Sequence, residues 1–222
     1  MSARYSATRT SLRTGAIMVL FTLVFTALMA STYGVTRPAI EASKQESQQR
    51  LVNEVLPPAS YDNDLLGDMV RVDAPAALGL DDGARVWRAR KGGEPVALVV
   101  EGAATDGYAG RIALIVAVNT NGLLSGVRVT QHKETPGLGD YIDPKKDRRK
   151  DLPWIGQFAV ATWKDVNTAD WTVRKDGGTF GYRTGATISA RAVVRAAGRT
   201  TAFVVERMEA LFTAPAGGVL GE

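Results

Sequence analysis

Three apolar rhythms divide the chain. From Thr14 to Thr36 no charged residue occurs, and the heart of this run reads "GAIMVLFTLVFTALMASTYGV". As a helix rising about 1.5 Å per residue it covers roughly 35 Å, enough to cross a hydrocarbon core of about 30 Å with some tilt. From Arg37 the pattern turns polar and helix-favouring, with Ile40, Leu51, Val52, Val55 and Leu56 as its apolar positions, before Pro57-Pro58 supplies a stop. The pattern predicts a transmembrane helix over 14–36 and a helical stalk over 37–58. Residues 59–84 are mixed and Asp-rich, with Gly67, Pro75 and Gly79, and read as loop with short elements.

Strand signals follow. "ARVWRAR" and "PVALVVEGA" flank Gly92-Gly93, and "RIALIVAVN" and "LLSGVRVTQ" flank Thr120-Asn121-Gly122. Tight glycine turns between such runs predict hairpins, so at least four antiparallel strands are expected, with "TDGYAG" as a glycine-rich loop between the two pairs. "HKETPGLGDYI" reads as a loop, "WIGQFAVATW" as a short helix or strand, and "WTVRKDGGTFGYRTGAT" as a strand, a turn at Gly177-Gly178 and a second strand or loop. The third rhythm is helical. Val193, Val194, Ala197, Val204, Met208 and Leu211 recur at helical spacing and predict a helix over 188–212, with Gly198 a weak point inside it. The fold class expected is α+β: one N-terminal transmembrane helix, then an antiparallel sheet domain over 59–222 with helices packed on one face.

Charge sets the orientation. Arg4, Arg9 and Arg13 precede the apolar run without any acid, so the positive-inside bias leaves residues 1–13 in the cytoplasm and exports the rest. A cleaved signal peptide is the alternative, but its apolar region would be shorter and an A-x-A cleavage site is not apparent. The expected location is a single pass of the cell inner membrane with a periplasmic domain, a lipid bilayer as one partner, and no nucleic acid despite the net charge of +4. Absence of cysteine excludes disulfides, thiolate-bound zinc or iron–sulfur clusters and c-type haem attachment. The single histidine, His132, excludes a multi-histidine metal site, so no metal is expected and any redox chemistry needs an organic cofactor. The run "DPKKDRRKDLPW" sets five basic residues against three acids and reads as a solvated surface, with a docking patch as the alternative.

Candidate chemistry gathers in three glycine-rich stretches. "RTGATIS" over 183–189 stands at the front of the last helix, where Thr187 or Ser189 would serve as an ordinary cap. The same helix entrance also attracts phosphate, and Gly185 and Ala186 would let a bulky group approach the backbone. "ETPGLGD" over 134–140 is stiff at Pro136 and permissive at Gly137 and Gly139, with Leu138 its one apolar residue. "DGYAG" over 106–110 places glycines around Tyr108. Each alone is a turn; together beside one sheet they would line a site for a flat ligand.

The pair Thr130–Asp140, reading "TQHKETPGLGD", and Thr184–Thr187, reading "TGAT", resembles the FMN-binding domain family of bacterial ion-pumping redox complexes. Within that family the chain is most similar to the RnfG branch, found in Rnf electron-transport complexes, with the NqrC branch of sodium-pumping NADH:quinone oxidoreductases as its close relative. The resemblance covers nearly the whole chain. It implies FMN attached covalently, its phosphate esterified to the Thr187 hydroxyl by a flavin-attaching transferase. Thr184, Gly185, Ala186 and Ile188 would surround the link. Glu134, Thr135, Gly137 and Leu138, with Tyr108, would wall the flavin, and His132 or Lys133 would hydrogen-bond it or bias its charge. Gly181 stands where the family's motif often carries Asp. The implied function is an electron-carrying subunit, not a stand-alone enzyme, relaying electrons among the other subunits of a complex that couples ferredoxin and NAD redox chemistry to ion movement. A non-redox exported domain that anchors or binds a small anion is the reading from another class.

Overall fold

A computed structural model describes residues 7–160 and 171–221. The apolar run and the polar stalk form one helix, α1 (Ala7–Val55), with Pro38 inside it. Among the described residues it is the one helix long and apolar enough to cross a membrane. The chain divides into two compact units, residues 1–47 and residues 48–222, so the last turns of α1 belong to the sheet domain.

Among the described residues the sheet has six strands. They are β1 (Met69–Val72), β2 (Ala84–Lys91), β3 (Glu94–Gly107), β4 (Gly110–Asn119), β5 (Leu124–Gln131) and β6 (Val219–Leu220), in the spatial order β5-β4-β3-β2-β1-β6. Four are those read from the sequence. The segment expected to be loop contributes β1 and the one-turn helix α2 (Pro75–Leu78). The sheet is not wholly antiparallel, because β6 pairs parallel to β1. "TDGYAG" is also not a loop of its own: β3 runs through Gly107 and β4 starts at Gly110, leaving Tyr108-Ala109 as the turn.

Period-two alternation gives the sheet two apolar faces. Val86, Leu98, Val100, Leu114, Val116, Val127 and Val129 face the first core, where helix α4 (Thr187–Thr213) packs through Val193, Val194, Ala197, Val204 and Leu211. Trp87, Ala89, Ala97, Val99, Ile115 and Ala117 face a second core with Val52, Val55 and Leu56, from the end of α1 and just beyond it. Helices therefore cover both faces, where the sequence suggested one. Gly126 of β5 makes the second packing possible: a Cβ there would stand 2.9 Å from the Val55 carbonyl oxygen, closer than packed atoms allow. Gly198 of α4 has a comparable reason. Its Cβ would lie 2.6 Å from the Trp171 ring, so the apparent weak point is the space the indole fills.

Arg88 is buried and bonds Asp68 while donating to the carbonyls of Leu211, Phe212 and Ala214. A cation thereby meets the negative end of α4. The stretch expected as a strand, a turn at Gly177-Gly178 and a second strand or loop over 171–187 is a single parallel bridge between Val173 and Phe180 around a 3-10 turn at Arg174–Asp176 that ends on left-handed Gly177. The "WIGQFAVATW" stretch begins as a 3-10 turn (Trp154–Gly156) and the short helix α3 (Gln157–Val160); its end lies outside the described residues. Tyr141, Trp154, Phe158, Phe180 and Trp171 stack or meet edge-on in succession, with neighbouring ring centroids 4.8–5.7 Å apart. This aromatic chain fixes the loops before α4.

Candidate functional site

The three glycine-rich stretches meet at one end of the sheet. Tyr108, Glu134, Thr135, Leu138, Gly139, Gly185, Ala186, Ile188 and Ser189 line a cleft of about 120 Å³. Seven of these are residues that the motif resemblance singles out; Gly139 and Ser189 join them. Thr184, Gly137 and Thr187 stand outside its lining, on the adjoining turns and on the first turn of α4.

Glu134 ties the three stretches together. Its carboxylate is buried at 4% exposure, accepts the backbone N–H of Ala109 at 3.0 Å and takes the hydroxyl of Ser189. One side chain thus joins the Tyr108-Ala109 hairpin, the loop after β5 and the first turn of α4. Gly139 permits the approach, since a Cβ there would stand 2.7 Å from Ser189 Oγ and 2.9 Å from Glu134 Oε2. His132 supports the same residue from behind, its Nδ1 accepting the Glu134 N–H at 3.1 Å. The loop closes on itself, with Leu138 and Gly139 donating to the Thr135 carbonyl and Gly137 N–H donating to Asp140 Oδ1 at 3.0 Å.

The entrance to α4 differs from the expected hydroxyl cap. Ala186 holds the cap position and no side chain caps it; Thr187 is the first helical residue and Ser189 is turned to Glu134. Hydroxyl residues at a helix start suggest a cap whenever local sequence is read alone, whereas here a distant carboxylate claims the serine. The uncapped first-turn N–H groups and the helix dipole remain available to an anion beside the Thr187 hydroxyl. Gly185 reaches this point in the left-handed region, φ +89°, on the side facing Leu138.

A buried polar group behind the entrance holds the turn. Tyr141 donates its hydroxyl to the Ala186 carbonyl at 3.1 Å and accepts the Arg183 N–H at 3.2 Å. Arg183 stacks on the Tyr141 ring at 4.7 Å and pairs with Asp147, which is fully buried. Burial raises the Tyr141 hydroxyl pKa above its ordinary value. Burial also pushes Asp147 upward, but the Trp154 and Arg149 N–H groups and the Arg183 guanidinium outweigh it and hold the carboxyl below its usual range. Asp147 lies inside the charged run expected to be a solvated surface. Its five basic neighbours are exposed, but the acid is a structural anchor, and the sequence offers no signal that separates it from Asp143 or Asp151.

Three large apolar side chains, Tyr108, Leu138 and Ile188, ring the cleft at 66%, 46% and 43% exposure. Exposed apolar groups converging on a helix entrance suit a flat ring carrying a phosphate, and left-handed Gly185 keeps the backbone between them open. The residues present fit FMN. Fold and cleft together define a flavin-binding domain behind a single apolar helix, and residues 107–201 match the family described as FMN-binding domain. Residues 1–55 match the RnfG N-terminal region. Proteins named as the G subunit of the ion-translocating oxidoreductase complex are similar over most of their length. That of Pseudoalteromonas atlantica is 41% identical over 91% of this chain and 92% of its own. That of Pseudomonas aeruginosa is 43% identical over 85% and 86%, and that of Salmonella typhi 44% over 83% and 86%. The chain belongs to the RnfG family of ion-translocating oxidoreductase complexes.

Proposed function

We propose that this chain is the membrane-anchored flavoprotein subunit of an Rnf-type complex and relays electrons through FMN esterified to Thr187. The observation that carries the reading is the convergence of Tyr108, Leu138 and Ile188 on an α4 entrance that no side chain caps. Membership of the RnfG family favours the Rnf branch over the sodium-pumping NADH:quinone oxidoreductase branch. Bound FMN supplies the redox chemistry of its ring system. The protein's own residues divide the remaining work. Thr187 offers the hydroxyl that a flavin-attaching transferase would esterify, and the first-turn N–H groups of α4 stabilise phosphate charge there. Leu138, Ile188 and Tyr108 supply apolar contact, and Glu134 holds their backbones together. A cleft near 120 Å³ is far smaller than the several hundred Å³ that encloses a small-molecule ligand, about 300–1,000 Å³. That shape suits a carrier whose cofactor edge stays accessible to neighbouring subunits.

Residues 14–36 are placed in the cell inner membrane, residues 1–13 in the cytoplasm and the sheet domain in the periplasm, as the basic flank directs. Covalent attachment would prevent loss of the cofactor into that compartment. The test is fluorescence of the full-length chain on a denaturing gel. A flavin band is expected in the parent and absent in Thr187→Ala. Because Thr187 makes no cap hydrogen bond, the same substitution should leave unfolding free energy within about 0.5 kcal/mol, against the ~1 kcal/mol a true cap would cost. An unmodified intact mass from cells holding the transferase would sink the reading and favour a non-redox anchoring or anion-binding domain.

A further inference from the structure

A separate groove of about 750 Å³ crosses the second sheet face, beside the last turns of α1. Leu51 and Leu80, both half-buried, line it together with the buried Val52, Trp87 and Ile115, all within the sheet domain. Its rim is cationic. Arg85 is already engaged, its guanidinium bonding the Glu101 carboxylate at 2.9 and 2.5 Å and lying 5.2 Å from the Trp87 ring. Arg111 and Lys133 are exposed, and among the described residues neither has an ion-pair partner. Glu101, the acid in the lining, is satisfied by Arg85, so the rim presents surplus positive charge.

The groove and the flavin cleft are two sides of the same two segments. Ala109 and Gly110 line the groove while Tyr108 lines the cleft, and His132 and Lys133 line the groove while Glu134 and Thr135 line the cleft. His132 and Lys133 therefore line the groove and are not among the residues that line the cleft.

We propose that this groove docks an acidic segment of a neighbouring subunit of the complex, with Asp or Glu flanking an apolar side chain. The apolar side chain would rest on the half-buried Leu51 and Leu80 of the lining, and the carboxylates would meet Arg111 and Lys133. Complementary rim charges fix register and partner choice. Symmetric pairing of two copies through the groove is disfavoured, because it would set one cationic rim against another. Docking here would bring a partner to the back of the flavin cleft. That consequence rests on the flavin reading; the docking itself does not.

The test uses the full-length chain assembled with its complex. A photo-crosslinking benzoylphenylalanine replaces Lys133, with Glu209, exposed on α4, as the control position. The expected product from the 133 position is a crosslink to another subunit at a peptide containing Asp or Glu, absent from the 209 control. The double variant Arg111→Glu with Lys133→Glu should fall about tenfold in retention when the complex is purified through another tagged subunit, and raised salt should weaken the parent similarly. Arg111→Gln with Lys133→Gln should give a smaller loss. The flavin band and the melting transition should match the parent in both. Retention within about twofold of the parent for the charge-reversed form overturns the proposal, as does a crosslink only to lipid or to a second copy. Failure of the flavin reading looks different: a missing band in the parent with retention and crosslinks unaffected.

Discussion

Replacing Glu134 by Ala removes one carboxylate and strands two donors. The Ser189 hydroxyl, 1% exposed, would lose its carboxylate acceptor, a loss of about 1–3 kcal/mol for a buried group. The Ala109 N–H loses a bond to a charged acceptor, worth about 1.5–3 kcal/mol in full, but Ala109 is exposed and water recovers part of it. The sum expected is about 3 kcal/mol. Glu134→Gln keeps an oxygen toward Ala109 and offers an amide N–H to Ser189 Oγ, so it should lose only charge assistance, about 1 kcal/mol. The assay is urea unfolding of the full-length chain in detergent, followed by the fluorescence of its four tryptophans. Ser189→Ala completes a double-mutant cycle, with a coupling energy to Glu134 above about 0.5 kcal/mol expected. An Ala variant within about 0.5 kcal/mol of the parent, or a Gln variant as damaging as Ala, would refute the idea that this carboxylate ties the site together.

Helix propensity alone predicts that Gly198→Ala strengthens α4 by about 1 kcal/mol, whereas the Trp171 ring 2.6 Å from the added Cβ predicts a net loss of about 1–3 kcal/mol, measured by the same urea titration. Asp147 has a lowered folded-state pKa, so its contribution is complete above the ordinary carboxylate value of about 4 and drains away as pH falls toward the depressed value. Thermal melts at descending pH should show this loss in the parent and a weaker acid dependence in Asp147→Asn, which starts less stable. Gly181→Asp meets little in space, since Gln157 Oε1 lies 3.6 Å from the added Cβ. It should fold normally and raise flavin occupancy on the denaturing gel; equal occupancy in both forms would show that this departure from the motif is immaterial.

Much of the molecule was legible along the chain. The uncharged run, the two glycine hairpins and the helical spacing from Val193 to Leu211 are local periodicities, and each produced the element it predicted. Most of the cleft was legible too, through motif resemblance, because Leu138, Gly185 and Ile188 lie in short stretches that can be compared directly. β1 and β6 were missed because strands of four and two residues carry too little pattern and exist only by pairing with each other and with β2.

What the sequence determined by itself was therefore the set of longer elements and the short motifs that meet at the cleft. Tertiary structure decided which partner each polar group takes. Ser189 serves Glu134 instead of capping α4, Asp147 is buried under Arg183 amid a charged run, and Lys133 lines the groove on the second sheet face. The physical reason is common to all three. A cap, an ion pair or a face is settled by whichever donor, acceptor or apolar surface the fold brings within a few ångströms, and those partners stand 36 to 55 residues away in Asp147–Arg183 and Glu134–Ser189.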